Sequence, residues 1–240
     1  MILKDTSLCA IVRDEMTNPA GGIVDFIEST APYVEKAIII DTGSVDGTKE
    51  TLKKLGRKLP SLSIYHCPFT DYATARNYGL SKVKTEKVLV LDADERLFPE
   101  DFRKLGGILK CINAEGYHLK VVAIFPTLET DCPAHNPRLF NLKTKLGLAH
   151  YRANAYGYSE CLFVRDEKNS LQRFDDAPGL MWRTEITIKH FMPEEWALKM
   201  KKNYWYDEVM HKRGGSLTAP SKTRGFEKWK EYNPRRTQFT

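Results

Sequence analysis

No stretch of about 18 apolar residues occurs in this chain of 240, so no membrane-spanning helix is expected. The opening MILKDTSLCAIVRDE lacks the long apolar segment and small-residue cleavage site of a signal peptide. Cysteine is sparse. Cys9, Cys67, Cys111, Cys132 and Cys161 are odd in number, scattered and without C-x-x-C spacing, which argues against a zinc site or a disulfide framework. Reduced thiols in a cytoplasmic protein are expected. Two glycine signatures are also missing. RDEMTNPAGG stands where a dinucleotide dehydrogenase needs G-x-G-x-x-G, and no G-x-x-x-x-G-K-[ST] occurs, which argues against a P-loop NTPase. The sequence shows no internal repeat, low-complexity linker or firm domain boundary.

What is present suits a globular domain. Hydrophobic residues make up 42% and charged residues 28% of the chain, enough for a substantial core. The net charge of +6 is unevenly placed. From His211 to Thr240 there are eight Lys or Arg against two Glu, so this tail carries the whole excess and the remainder sums to zero. Its basic residues interleave with Phe226, Trp229, Tyr232 and Phe239. Three roles are open for residues 211–240: packing on the body, contact with an anionic membrane surface, or contact with nucleic acid.

Along the chain, short apolar runs at Leu8–Val12, Ala37–Ile40, Ser61–Tyr65 and Val88–Leu91 read as buried strands. Helical spacing is expected over Ile23–Ser29, Thr48–Leu59, Asp71–Lys82 and Pro99–Cys111, the last with proline near its first position. This alternation predicts an α/β domain with a mostly parallel central sheet flanked by helices. Ligands on such sheets sit at the carboxyl ends of the strands, near a reversal of strand order. Beyond residue 115 the pattern is more irregular. GYHLKVVAIFP and ITIKHF read as strands, RLFNLKTKLGLAHYRANAYGYSECLFV holds several short strand-like pieces, and a helix is expected from about Pro193 to Met210.

Three polar clusters follow strands. In VLVLDADERL, residues 88–97, four apolar residues run into Asp92, Asp94 and Glu95. The ordinary account is a solvated turn that caps the next helix. The alternative is a site for Mg²⁺ or Mn²⁺, commonly held by one or two carboxylates plus substrate phosphates. In IIIDTGSVDGT, loop glycines and helix caps explain every residue except Asp41, an acid at the end of an apolar strand. A carboxylate there can accept from a base N–H and a ribose hydroxyl. In DYATARNYGL, Arg76 is either a surface salt-bridge partner or a phosphate or base contact at the same edge.

LCAIVRDE, IIIDTGSVDGT, F-x-D-Y-A-T-A-R-N-Y-G and VLVLDADE occur in the order and spacing of family 2-like glycosyltransferases with the GT-A fold. The resemblance covers roughly residues 7–98 and is specific because four motifs agree. It implies a nucleotide-sugar-dependent, metal-assisted, inverting transferase, with a UDP-sugar favoured as donor. Val12, Arg13, Asp41, Arg76, Asp92 and Ala93 then bind the nucleotide sugar, and Asp94 and His190 hold Mn²⁺ or Mg²⁺. Glu95 is left to solvate or cap. The chain has Asp14 where many relatives have Asn, and Thr42 where many have a second Asp. Pro137-Arg138-Leu139-Phe140 fits an R-L-F phrase of relatives, and Tyr158-Ser159-Glu160 fits the acid-ending segment that follows it. Glu160 is thereby the general-base candidate, with Glu129, Asp131 and Glu185 as alternatives. His150 and His135 are alternatives to His190.

With no firm boundary in the sequence, a single GT-A-like catalytic domain is expected over about 1–210. Its nucleotide-binding half runs to about residue 98, its acceptor half follows, and the basic aromatic tail comes last. A cytoplasmic location, or a peripheral one at a membrane, goes with this reading. The acceptor is a glycan, a lipid-linked glycan or a protein; a modified DNA base reached through the basic tail is the alternative. From other classes, a nucleotidyltransferase and a non-catalytic nucleotide-sugar-binding module remain as rivals.

Overall fold

The computed structural model describes residues 2–124, 134–153, 160–165, 168, 170–174 and 181–191. The expected helix from Pro193, the tail 211–240, and the alternative bases Glu129 and Asp131 lie outside the described residues.

The first half alternates as its apolar pattern predicts. Strands β1 (Leu3–Val12), β2 (Val34–Asp41), β3 (Leu62–His66) and β4 (Lys87–Val90) are separated by helices α1 (Gly22–Thr30), α2 (Thr48–Lys58) and α3 (Tyr72–Leu80). A two-residue strand β5 (Glu95–Arg96) and helix α4 (Pro99–Cys111) follow. The second half is nearly all strand: β6 (Gly116–Ile124), β7 (Ala134–Asn141), β8 (Lys143–Thr144), β9 (Gly147–Ala153), β10 (Glu160–Arg165), β11 (Leu171–Arg173) and β12 (Met181–Phe191).

Eight strands form one sheet in the order β3-β2-β1-β4-β7-β6-β12-β5. The pairs β3–β2, β2–β1, β1–β4 and β6–β12 are parallel, whereas β7 runs antiparallel between β4 and β6. A smaller antiparallel sheet has the order β11-β10-β9-β8. Strands β1, β2 and β4 are buried on both faces, which is why they read as unbroken apolar runs. On one face Leu8, Ala10, Ile39 and Leu89 join Phe26 and Phe102. On the other, Cys9, Ile38, Ile40, Val88 and Val90 pack with Leu80, Phe140 and Tyr151.

Local chemistry sets the helix starts. The Asp71 side chain accepts from Thr74 N at 2.8 Å as the N-cap of α3. Before α4, Phe98 N donates to Asp101 at 3.0 Å, and Pro99 occupies the first turn, where its missing N–H is not needed. Two strands begin earlier than their apolar runs suggest. β1 includes exposed Lys4 and Asp5 within a register irregularity, and β12 includes exposed Trp182 and Arg183. Polar residues on an exposed strand end hide it from apolar periodicity. Among the described residues, no helix is long and apolar enough to cross a membrane.

Phe102 is fully buried, and its ring stacks on Tyr33 with centroids 4.3 Å apart. Phe102→Ala is expected to lower the unfolding free energy by about 3–5 kcal/mol. Denaturant unfolding measures this, and a loss well below that range would mean that α4 is not anchored there.

Candidate active site

Val12, Asp41 and His66 stand side by side at the carboxyl ends of β1, β2 and β3. The strand order reverses between β1 and β4, and the D-A-D-E turn leaves β4 at that reversal.

Asp41 is buried, with 1% of its surface exposed. One carboxylate oxygen accepts from Ser44 N at 3.1 Å, and the other lies 3.3 Å from His66 Nδ1. Arg13 donates to the Thr42 carbonyl at 3.3 Å. Two hydrogen bonds latch the loops after β1 and β2: Asp14 N donates to Ser44 Oγ at 3.0 Å, and Asp14 Oδ1 accepts from Val45 N at 2.7 Å. Asp14 adopts a left-handed backbone with φ of 53°. Asp is among the residues that enter that region most readily.

Helix α3 carries Arg76 into the site. It sits close on β1 and β2 because Gly79 has no side chain. A Cβ there would stand 2.6 Å from Cys9 Sγ and 3.2 Å from Ile40. Burial pushes the Cys9 thiol up to about 12, so this sulfur behaves as a neutral core group. Arg76, 4% exposed, donates through Nη2 to Asp92 Oδ1.

Asp92 is flanked by two arginines. Besides Arg76, Arg138 on β7 brings Nη1 to 3.8 Å from Asp92 Oδ2. Burial by itself would raise the Asp92 carboxyl, but Arg76 and then Arg138 outweigh it and hold it below the ordinary carboxylate range. Glu95 is expected to solvate or cap, and the solvated half of that expectation is corrected. It is 0% exposed, with Oε1 2.5 Å from Arg138 Nη2 and Oε2 accepting from Asp92 N at 2.9 Å. Burial pushes its carboxyl up, against the pull of Arg138.

Ala93 is buried, and its carbonyl accepts from Asn18 Nδ2 and Arg96 Nη1, both at 2.8 Å. Its visible part is to hold the turn. Arg96 also donates to the Ala20 carbonyl at 2.8 Å, which ties the turn to the start of α1. Asp94 is partly exposed and lies 3.4 Å from His190 Nε2. Antiparallel pairing sets His190 on β12 opposite Glu95 on β5, and Phe191 N donates to the Asp94 carbonyl at 2.9 Å. Burial would lower the His190 imidazole, but Asp94, with Glu95 and Asp92 behind it, raises it to about 9. Among the described residues, no group of three or more His, Cys, Asp or Glu is arranged to hold a metal ion.

The other predicted groups sit on second-half strands or lie outside the described residues. Glu160 opens β10 opposite Ala153 in the smaller sheet; its side chain is outside the described residues. Glu185 is exposed on β12. His150 packs against Phe163 with ring centroids 6.3 Å apart in the smaller sheet, and His135 pairs with Lys120 between β7 and β6. Sequence reasoning missed the parts of Asn18, His66, Glu95 and Arg96, and saw Arg138 only as a letter of a phrase. The one available signal was the third acid of D-A-D-E so close to an apolar strand.

The glycosyl transferase family 2 model matches residues 22–169, more than half of the chain. The chain belongs to this family. The mostly parallel α/β sheet agrees with the GT-A type of fold expected of it. This family 2 chain is similar to a TPR repeat-containing protein of Synechococcus elongatus, 35% identical over 104 residues. The match takes in 43% of this chain and 24% of that protein, so the chain spans about a quarter of the relative's length. It is also similar to the S. aureus TarS 1–349 structure in complex with UDP, with a TM-score of 0.42 and 17% identity over 50% of this chain and 36% of that one. For the same TarS fragment with UDP-GlcNAc the TM-score is 0.43 and the identity 15%, over 50% and 35% of the two chains.

The close approach of α3 to β1 makes Gly79 a sensitive point for the Arg76–Asp92 contact. Gly79→Ala is expected to cost about 1–3 kcal/mol through overpacking against Cys9. Chemical denaturation measures the loss, and Cys9→Ala in the same chain should recover part of it.

Proposed function

We propose that the protein is an inverting glycosyltransferase that moves a sugar from a nucleoside-diphosphate sugar, UDP-linked by preference, to an acceptor hydroxyl with divalent-metal assistance. The observation that carries this reading is the gathering of Asp41, Arg76, Asp92 and Asp94 at one sheet edge, beside the reversal of strand order. Membership of family 2 supports it.

Each group has a task that suits its surroundings. Asp41 can accept from a base N–H, uracil's among them, and from a ribose hydroxyl, while Val12 and Arg13 shape the adjoining edge. Asp92 faces the ribose and sugar as a carboxylate kept ionised by its arginines. Asp94 supplies a carboxylate, and His190 would supply a neutral imidazole once a bound metal displaced its proton. That donor set fits a hard cation which takes its other ligands from water and the donor's phosphates. Bound there, Mn²⁺ or Mg²⁺ would offset the charge that develops on the leaving diphosphate. Glu160 is assigned the general-base role, removing the acceptor proton as the hydroxyl attacks the anomeric carbon from the side opposite the diphosphate. A glycoside hydrolase would instead need two carboxylates flanking the scissile bond. A nucleotidyltransferase would release pyrophosphate, whereas glycosyl transfer releases a nucleoside diphosphate.

A panel of nucleotide sugars screened for Mn²⁺-dependent hydrolysis identifies the donor, and the released nucleotide identifies the reaction. Asp94→Ala is expected to remove nearly all turnover and most metal-dependent nucleotide binding; near-normal activity would sink the metal assignment. Glu160→Gln is expected to retain donor binding by calorimetry and to lower turnover by about 100-fold or more. A collapse of donor binding instead would make Glu160 a structural residue.

A further inference from the structure

We propose that Glu95 and Arg138 act as a buried positioning pair that fixes the Asp92 carboxylate, neither of them being itself a contact to the donor. Its catalytic consequence rests on the transferase reading; the pair itself does not.

The geometry is specific. Glu95 has no exposed surface and uses its two oxygens in different directions. Oε1 accepts from Arg138 Nη2 at 2.5 Å, and Oε2 accepts from the backbone N–H of Asp92 at 2.9 Å. Arg138, with 14% of its side chain exposed, then turns Nη1 toward Asp92 Oδ2 at 3.8 Å. Arg76 takes the other Asp92 oxygen. Asp92 is therefore held at its backbone and on both sides of its carboxylate. With Arg76 and Arg138 on its two oxygens, Asp94 is left as the acid nearer His190.

Topology gives the pair a second property. β4 and β7 run antiparallel with Leu89 opposite Leu139, so Arg138 lies one step further along, beside the end of β4. Glu95 is also paired through its backbone with His190 on β12. One buried acid thus ties two strands of the second half to a turn built by the first. A surface salt bridge would have no such reach, and the net stability of a buried one is small because desolvation offsets its attraction. Arg for Lys is not an even exchange here, because the planar fork addresses Glu95 and Asp92 at once.

The test uses the full chain carrying Glu95→Gln, Arg138→Met and Asp92→Asn, singly and in pairs, with two readouts. The first is unfolding without nucleotide, which is independent of any activity. The changes at 95 and 138 should be non-additive, with the double variant more stable than the two singles imply by about 5- to 100-fold in the folding equilibrium. Additive losses would overturn the pair. The second is Mn²⁺-dependent turnover of UDP- and GDP-sugars. Arg138→Met should lower kcat by about 10- to 100-fold in the native background, but by less than about threefold when Asp92 is already Asn, because the pair acts through Asp92. Equal losses in both backgrounds would make Arg138 a donor contact or a general structural prop, and would overturn the positioning role. If the unaltered protein neither turns over nor binds any of these sugars, the transferase reading fails, and the unfolding cycles among 95, 138 and 92 decide the pair by themselves. If Arg138→Met does not fold, Arg138→Lys replaces it in both cycles.

Discussion

Three acids within four residues at the end of a buried strand set the terms for the rest of this structure. Two unit charges about 4 Å apart interact by about 4 kcal/mol at an effective dielectric near 20. The margin of stability of a whole domain is about 5–15 kcal/mol. Asp92, Asp94 and Glu95 therefore gain from polar partners of opposite character close by, and the fold supplies Arg76 from α3, Arg138 from β7 and the His190 imidazole from β12. The three partners come from three separate elements. The charge cluster is a point at which the two halves of the chain must agree.

That agreement runs through the mixed part of the main sheet. A purely parallel sheet would end its first half at β4. Here β7 pairs antiparallel with β4 and carries Arg138 beside the turn, while β12 closes on β5 and brings His190. Behind the turn, Asn18 and Arg96 grip the Ala93 carbonyl, so the backbone is held from the α1 side as well. On the other face, the missing side chain of Gly79 lets α3 approach β1 closely enough for Arg76 to reach Asp92. The site is thus fixed by packing and by polar contacts that converge on one turn.

Much of this was legible in the sequence. Apolar runs bounded by caps and turns marked β2, β3, β4 and α4 to within a few residues, because strands with a buried face and helices with an apolar stripe leave periodic traces. The acids and Arg76 stood out because charged residues at the ends of apolar strands have few structural explanations. Glu95 misled, since its spacing matched a solvated cap. Only its place under β12 and beside β7 shows that it is buried. Arg138 and His190 lie more than 40 residues from Glu95 in sequence, and nothing local says that they meet it.

By itself, the sequence determined where the first-half strands run, where helices start, and which carboxylates gather at the carboxyl edge of the sheet; it read β3 as buried like the others, whereas β3 is a partly exposed edge strand. Those properties follow from short-range periodicity and from the cost of placing charge next to apolar segments. Tertiary structure alone decided which cation answers which acid, that β7 enters the sheet reversed, and that Glu95 faces inward. Charge pairing depends on distances of a few ångströms between residues far apart in the chain, and those distances exist only once the strands have taken their order.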